Sequence, residues 1–252
     1  METIYYFLAL LFGYLIGSIS ISRIVTHIFA PNMDLTKIKM HDRGTDEDYH
    51  LTNVGATTAS MVLGPKIGGL IGVLDILKAF IPTLAVRLIF PDQPYYLFTG
   101  GGLVGGHIWT LYHKFRGGGG LSPALGAFLA IDPIGALATN LIAMILGFFV
   151  FREYLVAMTL GTWLMIPWLW ISKGHWGFAL FALLVNLMLV IAIIPDVSRY
   201  IRARASGKVD VESSMEAIPM GRMMNKMMAR MGFSKKAKEV PNQPSEIEIP
   251  KQ

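Results

Sequence analysis

Apolar residues gather into long runs along this chain, without the alternation that marks a half-buried strand. The runs cover residues 4–28, 67–90, 95–112, 121–151, 154–171 and 176–194. Each is close to or above the roughly 20 residues a helix needs to cross a bilayer. At roughly 1.5 Å per residue the 121–151 run outreaches a hydrocarbon core of about 30 Å. Asp132-Pro133 in its middle is a polar, helix-breaking pair, so it divides into two spans with a short first half. The fold class this predicts is all-α: a polytopic membrane helical bundle of about seven transmembrane helices.

The first run has no basic leader and no small-residue cleavage site, so it reads as a retained helix and not as a signal peptide. Seven spans put the termini on opposite sides. With the N-terminus outside, the inner loops hold Lys37, Lys39, Arg43, Lys66, Lys114, Arg116 and Arg152, while the outer loops hold Arg87 and Lys173. That is the asymmetry expected of cytoplasmic loops, and it leaves the C-terminus cytoplasmic. Composition agrees: 53% of residues are hydrophobic and 15% charged, against about 25% charged in soluble domains. The net charge of +5 belongs to the inner loops and tail, and no nucleic-acid partner is implied. With no cysteine, disulfides and thiolate metal sites are excluded.

Two domains are predicted: a membrane-integral domain over residues 1–195 and a cytoplasmic basic tail over 196–252. In the tail, Met220, Met223, Met224, Met227, Met228 and Met231 recur at helical spacing, with Arg222, Lys226 and Arg230 on other faces. Residues 218–233 therefore read as an amphipathic helix. It suits an anionic inner leaflet, packing on the protein itself, or a partner helix. The end, PNQPSEIEIPKQ, reads as disordered.

Three segments interrupt the apolar background on the inner side. Residues 53–58, NVGATT, combine small and hydroxyl-bearing residues ahead of a helix: an ordinary helix cap, or backbone N–H groups that converge on an anion. Residues 105–120, GGHIWTLYHKFRGGGG, place His107, Lys114 and Arg116 before four glycines: a flexible link, or a backbone that can approach a phosphate unhindered. His107 is a candidate base, or a packed, hydrogen-bonded histidine. Asp75 and Lys78 lie at i, i+3 inside a span and read as an ion pair, with Asp75 placed to face a site.

These segments carry a resemblance. GSISISRI from Gly17, NVGATTASMVLGPKIGGLIGVLDILKAFIP from Asn53, GHIWTLYHKFRGGGG from Gly106 and LSPALGAFLAIDP from Leu121 occur in order. They resemble, over most of residues 8–172, the bacterial membrane acyltransferases that move a fatty acyl group from acyl-phosphate to glycerol 3-phosphate. The resemblance implies seven helices with the N-terminus outside, a bacterial plasma (inner) membrane location, and acyl-phosphate with glycerol 3-phosphate or a similar phosphorylated acceptor as substrates. It implies no metal, nucleotide or covalent enzyme intermediate. His107 and Asn53 are the catalytic residues it points to, with Ser18, Gly55, Thr57, Asp75, Lys78, Gly117, Gly118 and Gly120 binding substrate; Lys114 and Arg116, flanking the glycine run, are candidate substitute cations for the substrate. Backbone N–H groups of the two loops would cradle the phosphates while the acceptor hydroxyl attacks the acyl carbon. Three positions depart from the family pattern: its Ser falls on Leu51, its Arg on Met61 and its Lys on Gly119. Its C-terminal His and Asn have no counterpart, with only basic residues such as Arg199 and Arg202 there. The alternative expectation is a catalytically silent relative that binds lipid or scaffolds membrane enzymes.

Overall fold

The computed structural model describes residues 2–35, 38–42, 47–50, 53–151, 153–205 and 247–248. It comprises two compact units, Met1–Ile21 with Gly72–Ile193, and Ser22–Ile71 with Ile194–Gln252. Among the described residues, five helical stretches are long and apolar enough to cross a membrane: Thr3–Phe29, Pro65–Ile89, Pro133–Phe151, Leu155–Lys173 and Trp176–Pro195. Their outward faces carry bare apolar side chains, such as Leu88 at 71% exposure and Ile171 at 83%. Surfaces of that kind are solvated by lipid.

In the first unit, α1 (Glu2–Gly17) packs along α5 (Tyr95–Ile108) through paired glycines. A Cβ on Gly13 or Gly17 would strike the backbone of Thr99 or Leu103, and one on Gly102 or Gly106 would strike that of Leu10 or Tyr14. Small residues four apart on both helices let the backbones touch. α6 (Leu121–Ile131) is shorter than a membrane span because it is the buried centre of the unit. Its Ala124, Ala127 and Phe128 are sealed among Val104, Met165 and Val185, and Gly126 presses on the carbonyl of Ile76. The Asp132-Pro133 break is present: α7 (Pro133–Ile145) begins there with Asp132 as its N-cap, accepting from Gly135 N at 2.8 Å. α7 runs into a π-helical segment, Leu146–Phe151, and then α8 (Tyr154–Lys173). Asn186, in the helix that begins at Trp176, accepts from Thr162 of α8 at 2.7 Å and so binds the two helices in lipid.

At one end of this unit Arg87 donates to the carbonyls of Ala130 and Ile131 at 2.7 and 3.0 Å, closing the C-terminus of α6. Lys173 pairs with Asp132 at 3.0 Å at the same end. The two basic residues expected in outer loops thus share one end of the bundle.

The structure differs from the sequence reading in three places. The first apolar run is two helices, α1 and α2 (Ile21–Phe29), interrupted at Ser18 to Ser20. The last long helix, α9 (Trp176–Ala205), continues past Pro195 into the segment expected as tail. In the second unit a small antiparallel sheet, ordered β2-β1-β3, is formed by β1 (Lys39–Asp42), β2 (Glu47–His50) and β3 (Ile247–Glu248). β3 lies in the end read as disordered, where Glu and Ile alternate; Lys39 pairs in register with Glu248. Its short strands were masked in the sequence by high charge. The Met-rich stretch 218–233 lies outside the described residues.

Candidate functional site

The break after α1 is the structural origin of the first unit's polar centre. Where the helix stops, the carbonyls of Gly17 and Ile19 lose their helical donors. Lys78 of α4 (Pro65–Ile89) donates to them at 3.1 and 2.8 Å. The same Nζ lies 3.2 Å from Asp75 Oδ1, one turn back on α4, and 3.2 Å from His107 Nδ1 at the end of α5. His107 Nδ1 is in turn 3.4 Å from Asp75 Oδ1. All three are buried, with 2, 6 and 8% of the Asp75, Lys78 and His107 side chains exposed. Each charge at this depth is tolerated because the other and the two carbonyls offset its desolvation.

Ser18 and Thr110 lock this end of α1 to the chain after α5. Thr110 donates to the Ser18 carbonyl at 2.5 Å, and Ser18 Oγ donates to Tyr14 O at 2.8 Å while accepting from Leu111 N at 3.2 Å. Tyr14 donates to Trp109 O at 2.7 Å. Ser18 is fully buried with its hydroxyl engaged on both sides. In these contacts it braces the end of α1 against the chain after α5. Tyr14 and Thr110 were missed by the sequence reading, because their partners lie far away along the chain.

The glycine run folds back over the end of α5. Gly117 N donates to Ile108 O at 3.1 Å and Gly118 N to His107 O at 3.0 Å. A Cβ on Gly118 would collide with His107 Nε2. These two N–H groups thus tie the glycine run to the end of α5. Gly119 faces open space. Gly120 takes φ 83° as the N-cap of α6 and, being glycine, offers the first N–H groups of that helix no side-chain cap. Lys114, itself left-handed at φ 55°, and Arg116 are exposed on the turn that precedes the glycines.

The second unit holds the other expected loop. Gly55 is the N-cap of α3 (Ala56–Leu63) and gives no side-chain cap, so Asn53 is not the ordinary cap that the sequence allowed. Thr58 Oγ1 donates to Asn53 O at 2.5 Å, and Ser22 of α2 donates to Val54 O at 3.1 Å, which holds the loop in place. Thr57 is exposed, and Met61 is half-buried on α3. Leu51 lies outside the described residues.

Fold and site together define an integral membrane helical protein with a buried acid, lysine and histidine cluster at the end of its bundle. A family model described as glycerol-3-phosphate acyltransferase matches residues 7–203, and the chain belongs to this family. A glycerol-3-phosphate acyltransferase of Aquifex aeolicus is 36% identical over 145 residues, 57% of this chain and 68% of that one. One from Albidiferax ferrireducens is 29% identical over 220 residues, 82% of this chain and 90% of that one. For the Myxococcus xanthus relative, at 36% identity, the chain spans 63% of its length. The crystal structure of PlsY, an integral membrane glycerol 3-phosphate acyltransferase, in its glycerol 3-phosphate form is similar with a TM-score of 0.65 and 28% identity. That likeness covers 79% of this chain and 93% of the other.

Proposed function

We propose that this chain is an acyltransferase of the bacterial plasma membrane that transfers a fatty acyl group from acyl-phosphate to glycerol 3-phosphate. The product is lysophosphatidic acid, for phospholipid synthesis. The observation that carries this reading is the Asp75, Lys78 and His107 cluster beneath the glycine run, in a chain of this family.

Lys78 donates to the Gly17 and Ile19 carbonyls and forms an ion pair with Asp75. On this reading His107 carries its proton on Nδ1, 3.4 Å from Asp75 Oδ1, which leaves the Nε2 lone pair as the proton acceptor. In the reaction the acceptor hydroxyl oxygen bonds to the acyl carbon as its proton passes to Nε2. The bond from acyl carbon to phosphate oxygen breaks, and phosphate leaves with the electron pair. Nε2 then returns the proton to phosphate. Asp75 stabilises the imidazolium between these steps, as a positioning residue. The first N–H groups of α6, the Gly119 backbone, Lys114 and Arg116 supply anion contacts, with the helix N-terminus favouring phosphate. In the second unit the uncapped start of α3, with Asn53, Gly55 and Thr57, offers the same chemistry.

The chain crosses the membrane seven times, N-terminus outside, with α5 and α6 as the two short crossings. The shared position of Arg87 and Lys173 at one end of the bundle supports this sidedness. Residues 1–195 form the membrane domain, and the Met-rich stretch in the 196–252 tail binds the anionic inner leaflet.

The test is transfer from palmitoyl-phosphate to radiolabelled glycerol 3-phosphate by purified protein in lipid, beside a panel of other polyol phosphates. Label in lysophosphatidic acid is expected. Label only with another acceptor would change the assigned substrate, and none with any acceptor would leave the silent lipid-binding relative as the reading.

A further inference from the structure

A cavity of about 270 Å³ in the second unit is lined by none of the residues assigned above. It is lined by Arg23, Thr26, His27, Met33, Asp34 and Leu35. The first three fall at i, i+3 and i+4 of α2, on one helix face, and the chain returns across them at 33–35. Thr26 is only 2% exposed, yet its Oγ1 has no hydrogen-bond partner among the described residues. A helical threonine usually satisfies its hydroxyl on the carbonyl four residues back. Buried hydroxyls left unsatisfied are rare and costly. The space beside this one far exceeds the roughly 30 Å³ share of a single water.

We infer that this cavity is a phosphate-ester site, in which the Arg23 guanidinium, the Thr26 hydroxyl and the His27 imidazole hold the oxyanion. Guanidinium presents paired N–H groups that match two phosphate oxygens. Thr26 adds a donor at the base of the cavity, and half-buried Arg23 acts where solvent screens it less. Asp34 lies at the exposed rim, interacts electrostatically with Arg23 and competes with an entering anion. In sequence α2 ends the apolar stretch Thr3–Phe29, and residues at the end of a membrane span meet lipid headgroups. Both a phosphomonoester lipid and free phosphate carry the matching group.

Two probes separate these sources, using the full chain in phosphatidylcholine nanodiscs. Native mass spectrometry measures retention of phosphatidate added to the discs, and calorimetry measures binding of inorganic phosphate. Arg23→Gln is expected to weaken binding by about tenfold or more and Thr26→Val by several-fold, as loss of a charge-assisted contact and of one donor. Asp34→Asn is expected to tighten it. Thr26→Val keeps the side-chain shape and leaves the Ser22 bond to Val54 intact, so it reports on the hydroxyl alone. Weakened phosphatidate retention with unchanged phosphate binding identifies a lipid headgroup; weakened binding of both identifies the free anion as a ligand as well. Arg23→Gln and Thr26→Val proteins that bind both probes like the parent would overturn the site.

Discussion

Gly118 lies against the His107 imidazole only because it has no Cβ, since one placed there would meet Nε2. Gly118→Ala is therefore expected to displace the ring from Asp75 and lower turnover, with a smaller loss of folded protein. His107→Ala should lower kcat by about 10²–10⁴-fold, the range of a lost general base. Its amount in membranes should be unchanged, so normal turnover at normal abundance would remove His107 from the mechanism. Gly119 is the opposite case. A Cβ there meets nothing within 4 Å, and its backbone is not left-handed, so a side chain can leave this position without backbone strain. With a family lysine expected at this position, Gly119→Lys should raise kcat/KM by about tenfold or more through one charge-assisted phosphate contact. An unchanged or lower kcat/KM would show that Lys114 and Arg116 already supply the charge. Of these residues, sequence text singled out His107 and the glycines. It missed that Gly117 and Gly118 spend their N–H groups on the end of α5, because a backbone donor's partner is set by tertiary folding and leaves no residue signature.

Between elements, glycine acts through what it lets approach. Gly106→Ala would push α1 off α5 at the Tyr14 carbonyl and disturb Ser18 beside it. A cost of about 1–3 kcal/mol or more is expected from overpacking of this kind. Gly69→Ala is the matched control on α4: its Cβ meets nothing, and alanine should stabilise the helix by about 0.5–1 kcal/mol. Heat-induced aggregation of the two variants in detergent distinguishes them, and equal midpoints would refute the close crossing. The α6–α7 junction is tested by pH. Burial raises the Asp132 carboxyl, but the Gly135 N–H and Lys173 reverse this and hold it below the ordinary carboxylate range. A lowered folded pKa means that the carboxylate's stabilisation is complete above the unfolded value near 4 and is lost as pH falls through the folded one. Asp132→Ala should cost about 1 kcal/mol at neutral pH, as a lost N-cap. The difference from the parent should shrink below about pH 4. A constant difference across that range would show that the charge at Asp132 contributes nothing.

At the scale of the whole chain, the membrane character and most helix positions were readable because a lipid-facing helix must be apolar over its full length. The Asp132-Pro133 break was readable because proline removes a donor. The stop after α1 was not, since Ser18 to Ser20 hold no proline or charge, and the break is stabilised by Lys78 from another helix. Nor was the small sheet, whose strands pair residues far apart in sequence. The acyl-transfer reading requires the His107 end of the bundle to face the cytoplasm, which cysteine labelling tests. The absence of cysteine makes the chain its own labelling background. Asp92, between α4 and α5, and Lys114, beyond the other end of α5, are both exposed. In intact cells an impermeant maleimide should label Asp92→Cys directly, and Lys114→Cys only after the membrane is opened. The reverse pattern would place the glycine run outside, away from any cytoplasmic acyl-phosphate. Equal labelling of both before permeabilisation would mean that α5 does not cross the bilayer.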